Sequence, residues 1–386
     1  AAASNNTLTA PSTVGEIIAK DAAGAIGITS MKASNVNVGA AVTITESGIE
    51  ASGIGITCAN INGGKIGGRR NIIINGAMNF AQRGTSSTDD GYLLDRFNVF
   101  DGSSLDENVT RAQVDVASGT TPYTLGFRKA LRLTNGNQTS GAQGNSNVQI
   151  MHKIEAQDIA NSGWNYTSAS SFITLQFWVK SSVAQNFYVY LRTHDGTGQR
   201  YAFETGSLSA DTWTKVTKTI SGNSNLQFDN NVDTGLEINI SPYWGTNYTD
   251  SGVSLNAWAA YASGTRTQDY ATTWFTTNDA TFEITGVQLE VGPEATPFEH
   301  RSFGEELILC SRYYQKLSGD ALSYYGVGNI DGANQAQILI DFVTDMRAAP
   351  SSLETSGTAG DYFISCLLYT SPSPRDLSTS RMPSSA

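Results

Sequence analysis

In the middle of the chain, four runs of residues alternate between apolar and polar at period two: 172–179, 187–191, 201–203 and 213–220. Such alternation in segments rich in β-branched and aromatic residues is typical of antiparallel sheet with one buried face. Phe177, Trp178 and Trp213 are large enough to anchor a core between two sheets. The pattern therefore predicts the centre of a β-sandwich.

Shorter apolar runs on both sides of this block predict further strands: 72–74, 95–100, 108–116, 130–133, 148–154, 236–240, 274–276 and 281–291. Asn75-Gly76 is a strong turn signal after the first of them. About ten short strands over roughly 230 residues indicate one large sandwich rather than two domains. We expect one β-sandwich over residues 69–303.

Residues 1–68 contain no Trp, Tyr or Phe and alternate small apolar residues with Gly, Asn, Ser and Thr. Side chains this small bury too little area within one chain to offset its conformational entropy. Two outcomes are open: disorder, or intertwining of identical chains with the Ile and Val stripes facing a common axis. The regular alternation favours an elongated, homotrimeric β-shaft.

A helical pattern interrupts the strands at 302–316. Ser302 and Glu305 have the spacing of a capping box. One helix face would carry four residues: Leu307, Cys310, Ser311 and Tyr314. We expect Cys310 to pack in a core, and Lys316 to lie near the carboxyl end. A helical connector is predicted at 304–318.

Strand-like sequence resumes at Leu322 and at 337–343, which predicts the start of a truncated β-domain at 319–365. The end, CLLYTSPSPRDLSTSRMPSSA (366–386), shares no pattern with the preceding chain. Its two outer parts can be encoded by DNA that resembles the two ends of a common sequencing adapter. We expect residues 366–386 to be translated adapter, attached to a metagenomic reading frame cut near Ser365.

The composition removes several classes of function. A net charge of −11 and a pI near 4.8 argue against binding to nucleic acid, which needs clustered Lys and Arg. Three cysteines, Cys58, Cys310 and Cys366, and three scattered histidines have no disulfide or metal-ligand spacing. No apolar run is long enough for a membrane span. We predict no cofactor, no metal and no membrane insertion.

Two stretches resemble the tail fibre and tail appendage proteins of tailed bacteriophages, especially aquatic ones. NIIINGAMNFAQRG (71–84) and the following YLLDRFNVF (92–100) resemble the opening of a domain in that family. The segment 284–316 is similar to the exit from the same domain. The resemblance implies a virion protein, extracellular when it acts, that helps a phage attach to the surface of its host.

The sequence between these stretches, with FWVKSS and TWTKVTKTI, resembles jelly-roll carbohydrate-binding modules. Those modules often carry a structural calcium held by acidic residues in the opening motif and the final strand. The corresponding positions here are Ala77, Asn79, Thr285 and Gly286, which lack the acids, so we do not predict a calcium site.

Jelly rolls bind sugars where exposed aromatic rings stack on pyranoses and polar side chains bond the hydroxyl groups. Five residues form the candidate saccharide site: Tyr243, Trp244, Asn247, Tyr248 and Tyr261, with Trp258, Arg266 and Asp269 nearby. Pro242 and Gly245 flank the first pair and favour an exposed loop. The competing interpretation is that half of these aromatic residues, Trp258 above all, fill the core.

Two other classes of function stay open. A polysaccharide depolymerase needs two carboxylates at a fixed separation. The acidic pairs Asp89-Asp90 and Glu305-Glu306 lie in a predicted turn and at a predicted helix start, and no Ser-His-Asp motif is recognisable. A structural spacer or collar would bind only other virion subunits. We expect host-surface receptor binding through a host glycan, with no enzymatic activity.

Overall fold

The computed structural model describes residues 69–102, 104–317, 328–330 and 336–351, and the backbone of three strands near the N-terminus. The chain divides into two compact units, 1–61 and 62–386. In the first unit, β1 (Asn35–Val38), β2 (Val42–Thr45) and β3 (Gly48–Ala51) form an antiparallel sheet. The rest of 1–68 lies outside the described residues, and the homotrimeric shaft stays a prediction.

The second unit contains the predicted sandwich. Its strands are β4 (Ser86–Ser87), β5 (Gly91–Leu94), β6 (Phe97–Asp101), β7 (Thr110–Asp115), β8 (Lys129–Thr134), β9 (Asn147–Glu155), β10 (Phe172–Ser181), β11 (Asn186–Thr193), β12 (Gln199–Ser207), β13 (Thr214–Ser221), β14 (Thr234–Ser241), β15 (Tyr243–Trp244), β16 (Trp258–Ala260) and β17 (Thr281–Val291). Short helices α1 (Thr121–Thr124), α2 (Ala156–Ala160) and α3 (Thr273–Thr276) lie in the connections.

Two antiparallel sheets face each other. The six-stranded sheet has the order β13-β10-β17-β8-β7-β4. The eight-stranded sheet has the order β16-β12-β11-β14-β9-β6-β5, with β15 added to β9. The mostly β, jelly-roll-like sandwich predicted from the sequence is confirmed.

Large apolar side chains from alternate strand positions fill the space between the sheets. Phe187 of β11 and Phe282 of β17 meet there with ring centroids 5.0 Å apart, which joins the two sheets. Phe177 is fully buried as predicted. Trp178 and Trp213 are only half-buried, and they pack around Phe127 outside the main core. Side chains alternate between the two faces along a strand, so Trp178 must point to the face opposite that of Phe177. Trp178 therefore lies outside the core that it was expected to anchor.

Two predicted strands are wrong. Residues 72–74 form no strand, because the Asn71 side chain replaces ladder bonds by accepting from the backbone N–H of Leu289 and of Ile73. Residues 274–276 belong to the helix α3, not to a strand. The side-chain amide of Asn135 donates to the carbonyls at the end of this helix, including that of Phe275 at 2.6 Å.

The predicted helix exists but is shorter. α4 (Phe303–Ser311) starts at the Ser302–Glu305 capping box, which is confirmed in both directions. The helix ends before Tyr314 and Lys316, so these two residues lie beyond it. Cys310 is buried against Ile74 and Phe80, as expected for a packing residue. Among the described helices, none is long and apolar enough to cross a membrane.

The two stretches that carry the family resemblance meet in space and close the domain. Asn71 donates to the carbonyl of Val287, and the Glu299 carboxylate accepts from the backbone N–H of Asn71 at 2.8 Å. Arg301 donates to the carbonyl of Ile73 at 3.0 Å. Residues more than 200 positions apart in the sequence therefore hold each other in place.

After α4, β18 (Gly328–Ile330) and β19 (Ala336–Ile338) form an antiparallel pair. The strand predicted at 337–343 is therefore correct only at its start, and 339–343 are not in a strand. Leu322 and residues 352–386 fall outside the described residues. The translated adapter and the truncated β-domain stay predictions.

Candidate functional site

The outward side of the eight-stranded sheet is unusually polar for a surface that is so well buried. Side chains alternate between the two faces along each strand, and residues paired across antiparallel strands point to the same face. The strand register therefore identifies the residues that share the outward side. Tyr190 lies between Asn239 and Ala202, and Arg192 lies between Glu237 and Arg200. We call this surface the polar face, defined by six residues: Tyr190, Arg192, Arg200, Glu237, Asn239 and Ser241.

Residues 245–270, the cover segment, run beside and over the polar face. Backbone hydrogen bonds fix the segment to β12 and the turn before it. The N–H of Asn256 donates to the carbonyl of Ala202 at 2.7 Å, and the N–H of Tyr261 donates to that of Gly198 at 2.8 Å. The cover segment thereby brings its own side chains to the polar face.

Arg266 of the cover segment organises a cluster of aromatic rings. Its guanidinium carbon lies 4.2 Å from the ring centroid of Trp244 and 4.6 Å from that of Tyr248. Its Nε donates to the Tyr261 hydroxyl at 3.1 Å. Arg192 lies over the ring of Tyr261, at 3.8 Å from the centroid. Rings and guanidinium groups therefore alternate across the surface, which is favourable for cation–π contact.

Several buried polar atoms of this region have no hydrogen-bond partner among the described residues. Across the described residues, eleven buried side-chain N or O atoms have no hydrogen-bond partner, and six of them belong to the polar face or to the cluster above it. These six atoms are Arg192 Nε, Arg200 Nε, Asn239 Oδ1, Ser241 Oγ, Trp244 Nε1 and Arg266 Nη1. Each such atom costs about 1–3 kcal/mol when it is left without a partner. So dense a group is expected where a ligand supplies the missing partners.

The electrostatic balance of the site is positive. Arg192, Arg200 and Arg266 form no ion pair with any described residue. Burial lowers the pKa of Arg200, and among the described residues no carboxylate charge raises it again. The one buried carboxylate nearby, that of Glu237, is engaged by His194 at 3.2 Å and by Asn239.

The pKa of Glu237 reports these contacts. Burial raises it, but the hydrogen bonds from His194 and Asn239, together with the electrostatic attraction of His194 and Lys153, hold the pKa below its ordinary value. The phenol of Tyr190 is almost completely enclosed, and burial raises its pKa well above the usual range. Tyr190 is therefore a neutral hydroxyl group at physiological pH.

The candidate residues named from the sequence fall into two groups. Trp244, Tyr248 and Tyr261 come together around Arg266, and Asn247 is exposed beside Tyr248. The Tyr243 side chain points away from this cluster, and its ring stacks on that of Phe275 with the centroids 4.4 Å apart. Their roles in binding stay predictions.

The expected exposed loop at 243–244 is wrong. Tyr243 and Trp244 form the strand β15 beside β9, and their side chains are 4 % and 2 % exposed. Pairing with β9 satisfies the backbone and draws both rings inward, so neither offers a free face to solvent. Asp269 accepts a hydrogen bond from Thr249 at 2.6 Å and serves the cover segment itself.

Trp258 packs against the core but does not fill it. Its ring packs on that of Tyr201 at 5.4 Å, and its Nε1 donates to the carbonyl of Ser221 at 2.8 Å. The residue bridges the edge strands and is half-buried.

The sequence analysis missed all six residues of the polar face. The signal was present, since these residues occupy the positions between the core residues of β11, β12 and β14. The burial of these residues could not be predicted from the sequence, because it depends on a cover segment about 50 residues further along the chain.

No family model and no curated protein matches this chain. Solved structures do show similarity. The enzymatically active domain of tailspike protein 4 of bacteriophage CBA120 is 12 % identical over 57 % of this chain, with a TM-score of 0.31; the match spans 21 % of that protein's chain. The N-terminal cellulose-binding domain of a β-1,4-glucanase from Cellulomonas fimi is 12 % identical, with 55 % of this chain and 97 % of that one covered and a TM-score of 0.26.

A family 11 carbohydrate-binding module from Clostridium thermocellum, in complex with a mixed-linked tetrasaccharide, is 10 % identical. The match covers 55 % of this chain and 97 % of the module, with a TM-score of 0.26. Similarity at this level is not evidence of a shared function. The geometry of the polar face has to carry that argument.

Proposed function

We propose that this protein binds saccharides without cleaving them, through the polar face and the cluster around Arg266. The observation that carries the proposal is the group of six buried polar atoms that lack partners beside half-buried tyrosine rings. Saccharides present hydroxyl groups that both donate and accept, and flat apolar ring faces that pack on aromatic side chains. One ligand class thus meets both properties of the surface.

The biological setting of the proposal is attachment of a phage tail appendage to a glycan on its host. Its support is the resemblance of 71–84 and 284–316 to the opening and exit of a domain in tail fibre proteins. The homotrimer belongs to the same proposal. Light scattering on the full chain should give three times the 41.1 kDa of one chain.

A glycan array probed with the full chain tests saccharide binding, and a pair of tyrosine variants tests the site. Tyr261→Ala removes a ring that contacts Arg192 and Arg266. Tyr123→Ala is the matched control, since Tyr123 is also half-buried with an arginine over its ring at 4.0 Å, but lies in α1. We expect about tenfold weaker binding for Tyr261→Ala, or roughly 1.4 kcal/mol, and wild-type affinity for Tyr123→Ala.

Three other outcomes would redirect the proposal. No binding to any glycan by a folded trimer would favour a structural spacer. Equal losses in both tyrosine variants would place the ligand elsewhere or indicate general destabilisation. Release of reducing sugar from a host polysaccharide would identify a depolymerase.

A further inference from the structure

The charges of the polar face narrow the class of saccharide. We infer that the ligand is an anionic saccharide whose carboxylate groups, as in uronic acids, are received by Arg192, Arg200 and Arg266. This inference rests on the proposed saccharide binding and deepens it. A neutral glycan would satisfy the hydroxyl and amide atoms of the surface but would leave three guanidinium groups without a counter-charge.

The three arginines converge on one place. Arg192 and Arg200 face each other across the β11–β12 pair. Arg192 also lies over the Tyr261 ring, and Arg266 donates to the hydroxyl of the same tyrosine at 3.1 Å. Tyr261 thus contacts two of the cationic side chains, and Arg200 lies beside Arg192 on the same face of the sheet.

Arg200 is the most informative of the three. It is 4 % exposed, its Nε has no partner, and the only hydrogen bond of its side chain within the described residues is a long one of 3.5 Å to the carbonyl of Ser254. A guanidinium has five donors and no acceptor, and it cannot escape its charge by losing a proton at physiological pH. Burying it without a carboxylate is unfavourable unless an anion arrives from outside the chain.

The protein's own carboxylates do not fill this role. Glu237 is held by His194 and Asn239, and Asp269 is held by Thr249. Glu204, an exposed neighbour on β12, bonds to Asn186 at 2.9 Å. The planar fork of arginine matches the geometry of a carboxylate in two parallel hydrogen bonds, which favours a uronate over a neutral sugar.

General attraction of polyanions does not explain such binding, since the chain carries a net charge of −11. A local cationic site on an acidic protein binds anions that reach the site, whereas the rest of the surface repels anions. Binding of a polyuronate would therefore report the arginines themselves.

The test titrates the full chain with polygalacturonate, alginate and hyaluronate, each beside its carboxyl-reduced, neutral counterpart, at about 150 mM salt. We expect at least one acidic polymer to bind ten times or more tightly than its reduced form. Arg200→Gln and Arg266→Gln should remove most of that preference. The control variant Arg128→Gln removes an exposed arginine that stacks on Tyr123 in α1, and it should keep the preference for the acidic polymer.

The outcomes separate this inference from the proposed function. If acidic and reduced polymers bind alike, or if only neutral glycans bind, and Tyr261→Ala still weakens binding about tenfold, then the anionic class is wrong and saccharide binding stands. If neither form of any polymer nor any neutral glycan binds, both are wrong. Equal weakening by Arg128→Gln would mean unspecific charge attraction and would overturn the assignment. Near-ultraviolet circular dichroism of each variant confirms that the fold is intact.

Discussion

The outward sides of the two sheets are both polar and both largely covered, yet they differ in how their polar groups are satisfied. On the six-stranded sheet, the Glu283 carboxylate contacts Arg132 at 2.9 Å and Lys180 at 3.1 Å. Glu290 accepts from the N–H of Thr296 at 2.8 Å and from its hydroxyl at 2.6 Å. The chain supplies these partners itself.

The eight-stranded sheet shows the opposite arrangement. Its outward arginines have no carboxylate partner among the described residues, and six buried polar atoms near them are unpaired. On the six-stranded sheet, the neighbouring strands β8 and β10 supply the partners of Glu283, and Thr296 from the segment after β17 completes the bonds of Glu290. On the eight-stranded sheet, the described strand neighbours give Arg192 and Arg200 no ion pair, and the cover segment brings in a further arginine. A face whose bonds the chain completes is structural, and a face left incomplete is where a ligand is expected.

The largest effect should come from damage to the completed face. Glu290 is 1 % exposed, and Glu290→Ala would leave the N–H and hydroxyl of Thr296 without an acceptor. We expect a loss of about 3 kcal/mol in the free energy of unfolding. Urea denaturation measures it, with the exposed Glu294→Ala as control within about 0.5 kcal/mol of wild type. A loss below about 1 kcal/mol would contradict the structural assignment of this face.

A smaller effect of opposite sign is expected on the incomplete face. Arg200→Met keeps an unbranched side chain of similar length and removes a buried charge that has no partner. Because that charge is unfavourable without a ligand, the variant should be as stable as wild type or gain about 1 kcal/mol. The same denaturation experiment reports it. A loss of about 2 kcal/mol or more would mean that Arg200 serves the fold and not a ligand.

The smallest effect concerns the one carboxylate on the polar face. Since the pKa of Glu237 is lower in the folded protein than its ordinary value of 4.5, the carboxylate stabilises the fold above pH 4.5. That contribution is lost as the pH falls through the lower, folded-state pKa. We expect Glu237→Gln to be less stable than wild type by about 0.5 kcal/mol at neutral pH, and the gap to close as the pH falls below about 4.5 and through the folded-state pKa.

Unfolding midpoints of both proteins across that pH range measure the gap. His194→Gln should reduce it as well, because His194 donates much of the stabilising contact. A gap that stays constant with pH would show that the carboxylate is not stabilised by its neighbours.

The sandwich itself could be predicted from the sequence because alternation with large apolar residues leaves few other solutions. The runs around Phe177 and Phe187 specify strands and a buried side at once. Where side chains replace backbone partners, the same method fails. Asn71 takes over ladder bonds at 72–74, and Asn135 caps the helix α3 where a strand was expected.

The candidate site was predictable only in part. Tyr248 and Tyr261 were found as aromatic residues in a polar segment, but Tyr243 and Trp244 looked identical to them by that criterion and are buried in β15. Local sequence does not tell whether a short segment will pair with a strand such as β9, since pairing depends on residues almost 100 positions earlier. The place of Arg192 and Arg200 in the site could not be predicted for the same reason, because their burial depends on a distant segment of the chain.

Hydrogen–deuterium exchange of the full chain, with and without the saccharide that binds most tightly, compares the two faces directly. The account predicts that the ligand slows exchange in 188–202 and 237–270, which carry the polar face and its cover segment. Exchange in 174–180 and 283–299, on the completed face, should stay unchanged. Slowed exchange confined to the six-stranded sheet, with none around Arg192 and Arg200, would contradict the assignment of the site.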